Sequence, residues 1–133
     1  MTRGISHVGV AVPSIDAAIG AYARLGFVLV HREELPERAV RVAFLALGAD
    51  RVELLEPTGE GPVARFLARR GPGLHHLALR SDAVAADLAR FEADGGIAID
   101  KAPRPGAEGC AVAFLDPAST AGVLVELVEA VTR

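Results

Sequence analysis

Two short apolar runs in this sequence each carry a glutamate at a position where a strand residue would be buried. The run VELLEP spans residues 52–57 and contains Glu53, and the similar run VELVEA spans residues 125–130 and contains Glu126. A carboxylate inside an apolar strand is costly to bury unless an opposite charge or hydrogen bonds compensate it. Because the arrangement occurs twice, the two glutamates are candidates for a functional site.

A histidine precedes each glutamate at a matching position of an internal repeat. The segment HVGVAVPSIDAAIGAYARLGF, which begins at His7, aligns without a gap with HLALRSDAVAADLARFEADGG, which begins at His76, at an offset of 69 residues. The glutamate runs recur at an offset of 73 residues, and the longer loop KAPRPGAEG in the second half accounts for the difference. A repeat of this kind indicates two copies of one structural unit.

Each half of the repeat reads as a strand, a helix and three further strands. Alternating apolar residues predict the strands, and Ser14 and Gly26 are typical of the start and end of a helix. The sequence therefore predicts a single α+β domain over residues 1–133, with βαβββ modules at about 3–57 and 73–130. The predicted strands span about 3–12, 26–33, 39–47, 50–56, 73–81, 97–100, 110–115 and 122–129. The first predicted helix lies between Ser14 and Gly26, and the other two span 62–70 and 83–94.

Strand alternation places both histidines and both glutamates on the face opposite the large aliphatic residues. Side chains alternate between the two faces of a strand, so the valines of ISHVGVAV share one face and His7 lies on the other. Glu53 likewise lies opposite its valine and leucine neighbours, and His76 and Glu126 repeat this relation in the second module. Because large aliphatic residues cover the helix-packed face, each module presents one histidine and one glutamate on its other face.

These four side chains form a suitable ligand set for a divalent metal ion if the two sheets curve toward each other around a cleft. Two neutral imidazoles and two carboxylates suit a borderline metal, and the two negative charges balance the charge of the ion. Four protein ligands on an octahedral ion leave two positions for a substrate. The set accepts Co²⁺, Mn²⁺, Ni²⁺ or Zn²⁺ and does not identify the physiological metal.

A structural explanation competes with the metal site for each residue taken singly. An isolated histidine or glutamate in a strand is more often structural or solvent-exposed, especially at sheet edges. The matching positions and face parity of the two His–Glu pairs favour the metal site. Outside these pairs, His75 faces away from His76 and is expected to be structural, and His31, in the charged segment HREE, is expected to be exposed. Arg80 shares the face of His76 and is placed at the rim of the cleft.

The composition excludes several other classes of function. The 133 residues are 51% hydrophobic and 23% charged with a net charge of −3, and Arg69 and Arg70 form the only basic block, so the sequence offers no electrostatic case for binding nucleic acid. The apolar runs are too short for a membrane span, and the N-terminus lacks a signal-peptide layout. The single cysteine, Cys110, rules out an internal disulfide framework. These features predict a soluble cytoplasmic protein.

The chain resembles the vicinal oxygen chelate superfamily, the glyoxalase/bleomycin resistance/dioxygenase group, whose members pair βαβββ modules around a divalent metal. Within it the chain is most similar to the methylmalonyl-CoA epimerases, and the similarity covers essentially the whole sequence. Matching the family motif residue by residue implies His7, Glu53, His76 and Glu126 as the metal ligands. The stretches that carry the resemblance are HVGVAVPSIDAAIGAY, LPERAVRVAFLALG, VELLEP, GPVARFLARRGPGLHHLAL and PRPGAEGCAVAFLDPASTAGVLVEL.

The resemblance implies a metal-dependent epimerase that interconverts (R)- and (S)-methylmalonyl-CoA through an enolate. It implies an acyl-CoA substrate, a homodimer and a divalent cation, with Co²⁺ first and Mn²⁺, Ni²⁺ or Zn²⁺ as alternatives. Removing the proton beside the thioester carbonyl requires stabilisation of the enolate and a base. We assign both a ligand and a base role to Glu126, and we assign Glu53 chiefly to holding the ion.

The sequence departs from the family pattern in two places. The family commonly reads like FLHPKS where this chain reads FLDPAS, so Asp116 and Ala118 replace basic residues and leave the exact acyl thioester open. Some members carry a glutamate, proposed as a proton-transfer base, where this chain has Val42. The second proton-transfer group is therefore open among Glu37, Glu53 and a metal-bound water.

Two rival functions share the fold. A glyoxalase I-like lactoylglutathione lyase would use the same four ligands on a thiol hemithioacetal. A metal-free small-molecule or antibiotic-binding protein of the same fold is the alternative from another class, although such members usually lose the ligands. An extradiol dioxygenase fits less well, because its 2-His-1-carboxylate site has no place for Glu53.

Overall fold

The computed structural model of the chain describes residues 1–130, in which three α-helices and eight β-strands form an α+β fold with a mixed sheet. The predicted fold class is confirmed. The strands are β1 (Thr2–Ala11), β2 (Val28–Leu35), β3 (Val40–Leu47), β4 (Asp50–Pro57), β5 (Gly73–Ser81), β6 (Arg104–Pro105), β7 (Ala111–Leu115) and β8 (Val125–Glu129), and the helices are α1 (Ile15–Ala23), α2 (Pro62–Arg70) and α3 (Val84–Ala93).

The chain divides into two compact units that have the same topology. The first unit is His7–His75, and the second comprises residues 1–6 with the described residues from His76 onward. In the first unit the strand order is β2-β3-β4-β1, with β1 parallel to β4 and the other neighbours antiparallel. In the second unit the order is β6-β7-β8-β5, with β5 parallel to β8. The internal repeat of the sequence therefore appears as a repeated strand arrangement.

Each unit has its own hydrophobic core on the helix-facing side of its strands. Burial of a large aliphatic side chain contributes about 1.5–3 kcal/mol, so these clusters fix which face of each strand turns away from the helix. The valines of β1 lie in the first core, as strand alternation predicts. The first core contains Val10, Val12, Ile15, Ala43, Leu45 and Leu54, and the second contains Val84, Leu88, Ala98, Ala113, Leu115, Val125 and Leu127.

The second glutamate of each run, VELLEP and VELVEA, holds the start of a helix. The carboxylate of Glu56 accepts a hydrogen bond of 2.7 Å from the backbone N–H of Ile15, the first residue of α1. The carboxylate of Glu129 accepts one of 2.8 Å from the N–H of Val84, the first residue of α3. A helix leaves its first N–H groups without intrahelical partners, and a negative charge there is favourable. The last strand of each unit thus anchors the helix of that unit.

Glu56 is itself held by a neighbouring arginine. The guanidinium of Arg41 donates hydrogen bonds to Glu34 and to Glu56. These bonds, first that to Glu34 and then that to Glu56, raise the pKa of Arg41 above its ordinary value.

Ser14, predicted as the N-cap of α1, accepts a hydrogen bond from the N–H of Ala17. The start of α1 therefore has two acceptors, whereas α3 has no side-chain N-cap at Ala83.

We expect Glu129→Ala to lower the free energy of unfolding by about 1–2 kcal/mol, the usual cost of removing a helix cap. Glu129→Gln should cost less, because its amide oxygen can still accept the hydrogen bond from Val84. Urea unfolding of the two variants and the wild type would measure the difference. An alanine variant as stable as the wild type would show that this hydrogen bond does not anchor α3.

The predicted strand at 97–100 is wrong. In this segment Ala98 forms an isolated bridge to Leu115, and the backbone hydrogen bonds beside it, such as that from Ile99 to Phe114, do not extend into a regular ladder. The N–H of Ile97 donates to Ser119, and the carboxylate of Asp100 accepts from the N–H of Phe114, each at 2.8 Å. The short strand β6 instead pairs with β7 through Arg104–Val112 and Pro105–Ala111.

The boundaries of two other strands also differ from the prediction. β8 begins at Val125 rather than near 122, because Ala121 and Gly122 have φ angles of 58° and 92° and form a turn. β2 begins at Val28 rather than 26, since Gly26 has a φ of 100°. None of the helices within residues 1–130 has the length and apolar character that a membrane-crossing helix needs.

Candidate metal centre

The first unit brings His7 and Glu53 together on the face opposite its hydrophobic core. The parallel pairing of β1 and β4 places Glu53 beside Gly9, which leaves room for the larger side chains. Nε2 of His7 lies 3.2 Å from Oε1 of Glu53, and the side chains are only 6% and 7% exposed. A histidine and a carboxylate from different strands thus meet in a buried position, as strand alternation predicts.

The second unit repeats this arrangement with His76 and Glu126. The parallel pairing of β5 and β8 places Glu126 beside Ala78, the counterpart of the glycine in the first unit. Nε2 of His76 lies 3.4 Å from Oε1 of Glu126, and both side chains are buried. The two units therefore present chemically equivalent His–Glu pairs at equivalent positions of their sheets.

A phenylalanine supports each pair, and neither was among the residues predicted from the sequence. Phe44 lies directly across the β3–β4 pair from Glu53, and its ring centroid is 5.3 Å from that of His7 at an interplanar angle of 87°. Phe114 lies across the β7–β8 pair from Glu126, and its ring is 5.7 Å from His76 at 86°. Edge-to-face contacts of this kind fix the orientation of a ring. The signal was the recurrence of VAFL at residues 42–45 and 112–115.

The chemistry of the donor set fits a divalent cation. Two buried carboxylates require compensation of their charge, and imidazole nitrogens with carboxylate oxygens form a donor set that borderline metals accept. His7, Glu53, His76 and Glu126 constitute a buried set of residues that could hold a metal ion. Each histidine ring has an edge-to-face contact with a phenylalanine.

The profile of the glyoxalase/bleomycin resistance protein/dioxygenase superfamily matches residues 6–114 of the sequence. This match covers the first module with His7 and Glu53, and the second module from His76 as far as Phe114 in β7. The chain belongs to this superfamily.

Relatives of this superfamily protein include named epimerases. An ethylmalonyl-CoA/methylmalonyl-CoA epimerase of Cereibacter sphaeroides is 35% identical over 131 residues, which cover 96% of this chain and 98% of the relative. A Bacillus subtilis protein, described as uncharacterized protein YqjC, is 41% identical over 127 residues, covering 94% and 91%. A solved methylmalonyl-CoA epimerase in complex with methylmalonyl-CoA and NH₄⁺ superimposes with a TM-score of 0.95 at 36% identity, covering 99% and 97%. The superfamily member described here is therefore methylmalonyl-CoA epimerase-like.

Two positions bear on the second proton-transfer group of this superfamily member. Val42 stands where some members carry a glutamate, and Glu37 is one of the candidate groups. Val42 is 1% exposed and lies two residues before Phe44 on the same face of β3, so an apolar residue occupies that position. Glu37 is exposed in the short 3₁₀ turn Pro36–Arg38. Its surroundings are those of a solvated charge.

Other residues singled out from the sequence have structural surroundings. Arg80 donates hydrogen bonds to the backbone carbonyl oxygens of Ile5 and Arg3 at 2.8 and 3.2 Å, so its guanidinium holds the beginning of β1. The ring of His75 lies 5.0 Å from that of Phe66 on α2. These contacts favour structural roles for both residues.

Proposed function

We propose that the chain is a divalent-metal-dependent epimerase that interconverts (R)- and (S)-methylmalonyl-CoA. The observation that carries the proposal is the pair of equivalent, buried His–Glu arrangements, each supported by a phenylalanine, in a superfamily member whose named relatives are epimerases. A protein that only needed a stable sheet would not require buried carboxylates on both units.

His7, Glu53, His76 and Glu126 would together hold the cation. Two carboxylates and two neutral imidazoles balance the charge of a divalent ion, so the bound site would be close to neutral. A bound divalent cation supplies Lewis-acid stabilisation of the negative charge that develops on the thioester oxygen when the adjacent proton leaves. Co²⁺ is our first choice, and Mn²⁺, Ni²⁺ or Zn²⁺ suit the same donors.

Glu126 is the residue that we assign to proton transfer as well as to ion binding. Its carboxylate takes the proton from C2 of the substrate, and the electron pair of the C–H bond passes into the enolate. Return of a proton to the opposite face of C2 completes the epimerisation. Glu53, the equivalent carboxylate of the first unit, chiefly holds the ion and is a weaker candidate for proton transfer.

The relatives support a proposed substrate class. The Cereibacter sphaeroides relative is named for ethylmalonyl-CoA and methylmalonyl-CoA, and a solved relative binds methylmalonyl-CoA. We therefore assign an acyl-CoA with a carboxylate on C2. Asp116 caps the turn Pro117–Ser119 by accepting a hydrogen bond of 2.9 Å from Ala118. The negative charge of the Asp116 carboxylate would repel a phosphate here. We therefore propose that other residues bind the phosphates of CoA.

Deuterium exchange at C2 of methylmalonyl-CoA tests the proposal. In D₂O the Co²⁺-loaded protein should replace the C2 proton and equilibrate the epimers, and a chelator should stop both processes. A parallel assay with the hemithioacetal of glutathione tests the glyoxalase I-like rival. A metal-loaded protein that leaves C2 unexchanged would contradict the epimerase, and one without bound metal or chelator response would favour the metal-free binding protein.

The proposal also includes a homodimer and a cytoplasmic location. Sedimentation equilibrium of the purified protein would test the dimer, with twice the mass of one chain expected. Cell fractionation would test the location. A monomer would remove the dimer from the proposal and leave the assignment of the ligands unchanged.

A further inference from the structure

A β-bulge in β2 changes which side chains face the proposed metal centre. β2 pairs with β3 as Leu29–Leu45 and then as His31–Phe44, so Val30 is an additional residue without a cross-strand partner in the register. An additional residue reverses the alternation of side chains beyond it, and bulges commonly redirect a side chain next to an active site. Without the bulge, His31 would share the face of Leu29.

The reversal turns His31 and Glu33 to the face that carries His7 and Glu53. Leu29 pairs with Leu45, which lies in the core behind the sheet. His31 instead pairs with Phe44, whose ring contacts His7. Arg32, between the two, points to the opposite side, where its guanidinium forms an ion pair of 3.1 Å with Asp16 on α1. His31, predicted to be exposed at a strand end, therefore lies partly buried within β2.

His31 and Glu33 form a half-buried dyad. Nε2 of His31 lies 2.9 Å from Oε1 of Glu33, and the side chains are 35% and 28% exposed. A carboxylate on one imidazole nitrogen fixes the ring and leaves the other nitrogen, here Nδ1, for proton transfer, as in histidine–carboxylate pairs of many hydrolases. Partial exposure lets such a dyad exchange protons with water.

The ring of Phe44 connects the dyad to the proposed metal centre. Its centroid lies 5.3 Å from that of His7 and 6.3 Å from that of His31. The guanidinium of Arg51 lies 4.2 Å over the same ring. Glu33 is also the direct cross-strand partner of Val42, the apolar residue on this face. The dyad therefore lies beside Val42, the position on β3 where some members of the family carry a glutamate.

We propose that His31, oriented by Glu33, is the second proton-transfer group of the epimerase. This inference rests on the proposed function and names the group that acts on the face of C2 not served by Glu126. With Glu126 ionised and the His31 imidazole protonated, Glu126 takes the C2 proton and the C–H electron pair enters the enolate. The enolate carbon then takes the proton from Nδ1 of His31, directly or through one water, as general acid catalysis requires.

The cycle is balanced without a co-reactant. At its end Glu126 carries one proton, His31 is neutral, and the substrate has the opposite configuration. The same groups perform the reverse reaction with exchanged roles. The starting protonation state returns when Glu126 releases its proton to water and the partly exposed His31 takes one from water.

The two-group arrangement predicts that exchange and inversion separate when His31 is replaced. In D₂O, Co²⁺-loaded His31→Gln should incorporate deuterium at C2 of one epimer with retention, because Glu126 returns deuterium to the same face. The opposite epimer should exchange at least ~10²-fold more slowly, the usual contribution of a general acid–base group. The rate of inversion should fall by a similar factor, and KM should change little.

Three further variants isolate the role of the dyad. Glu33→Gln should slow inversion less than His31→Gln, because it removes the orienting carboxylate and keeps the imidazole. Arg32→Gln, on the same strand but the opposite face, should invert like the wild type. His31→Gly should recover part of its inversion rate when free imidazole is added, a response that a purely structural role would not give. His31→Gln should bind as much metal as the wild type.

The outcomes distinguish the inference from the function on which it rests. If the metal-loaded wild type exchanges neither epimer, the proposed function fails. If the wild type inverts methylmalonyl-CoA and His31→Gln inverts it at the same rate, the function stands and the dyad is not the second group. Equal slowing of both epimers without imidazole rescue of His31→Gly would also overturn the inference.

Discussion

Glu126→Gln should slow C2 exchange of the methylmalonyl-CoA epimer that Glu126 deprotonates by at least ~10²-fold and up to ~10⁴-fold while the fold persists. Glutamine has nearly the same shape but cannot take a proton, and as a neutral group it binds a cation more weakly. Because Glu126 lies on β8 beside Ala78, the isosteric change leaves the packing intact. Exchange followed by mass spectrometry, with circular dichroism of the same sample, measures both results.

Glu129→Gln is the matched control for this experiment. It makes the same chemical change three residues further along β8, where the side chain holds the start of α3. We expect exchange rates like those of the wild type. If Glu126→Gln also exchanged like the wild type at saturating metal, Glu126 would be neither an essential ligand nor a base.

The second large effect is the rise in Tm that we expect when the protein binds metal. A ligand that binds only the folded state stabilises it by RT ln(1 + [L]/Kd), about 2.7 kcal/mol at a concentration one hundred times Kd. For a chain of this size the stabilisation raises Tm by on the order of 10 °C. Glu53→Gln removes one of the two charges that we assign to the ion, so the rise in Tm at the same Co²⁺ concentration should largely disappear.

Glu56→Gln provides the corresponding control on β4. It lies three residues after Glu53, on the helix side, where its carboxylate binds Ile15 and Arg41. Its Tm without metal should fall, and its metal-dependent rise should stay as large as that of the wild type. A Glu53→Gln protein with an unchanged metal-dependent rise in Tm would exclude Glu53 as a ligand.

The sequence was informative where strand periodicity and the repeat acted together. Alternation alone assigned His7 and Glu53 to the face away from the core, and the repeat assigned His76 and Glu126 to the equivalent place. The structure brings each pair into contact, although their role as ligands stays a prediction. The mixed α+β sheet could be predicted for the same reason, because each module repeats one order of strands and helix.

Other features depended on interactions that no local pattern encodes. The bulge at Val30 depends on the register between β2 and β3, so the charged segment HREE did not indicate which face of the sheet His31 would occupy. Glu56 and Glu129 stand in the runs that drew attention to the site, yet their contacts are with helix starts brought close by the parallel pairing. The segment 97–100 forms an isolated bridge and not the predicted strand, and the side chains of Asp100 and Ser119 accept backbone hydrogen bonds beside it.

Metal content per chain distinguishes one shared centre from two separate ones, since we assign both His–Glu pairs to one ion. Purified protein equilibrated with Co²⁺ and freed of excess metal should contain one ion per chain, and His7→Ala and His76→Ala should each lose it. His31→Gln should keep it. Two ions per chain, each lost separately with one histidine, or one ion kept in both alanine variants, would contradict a single centre built by the two pairs.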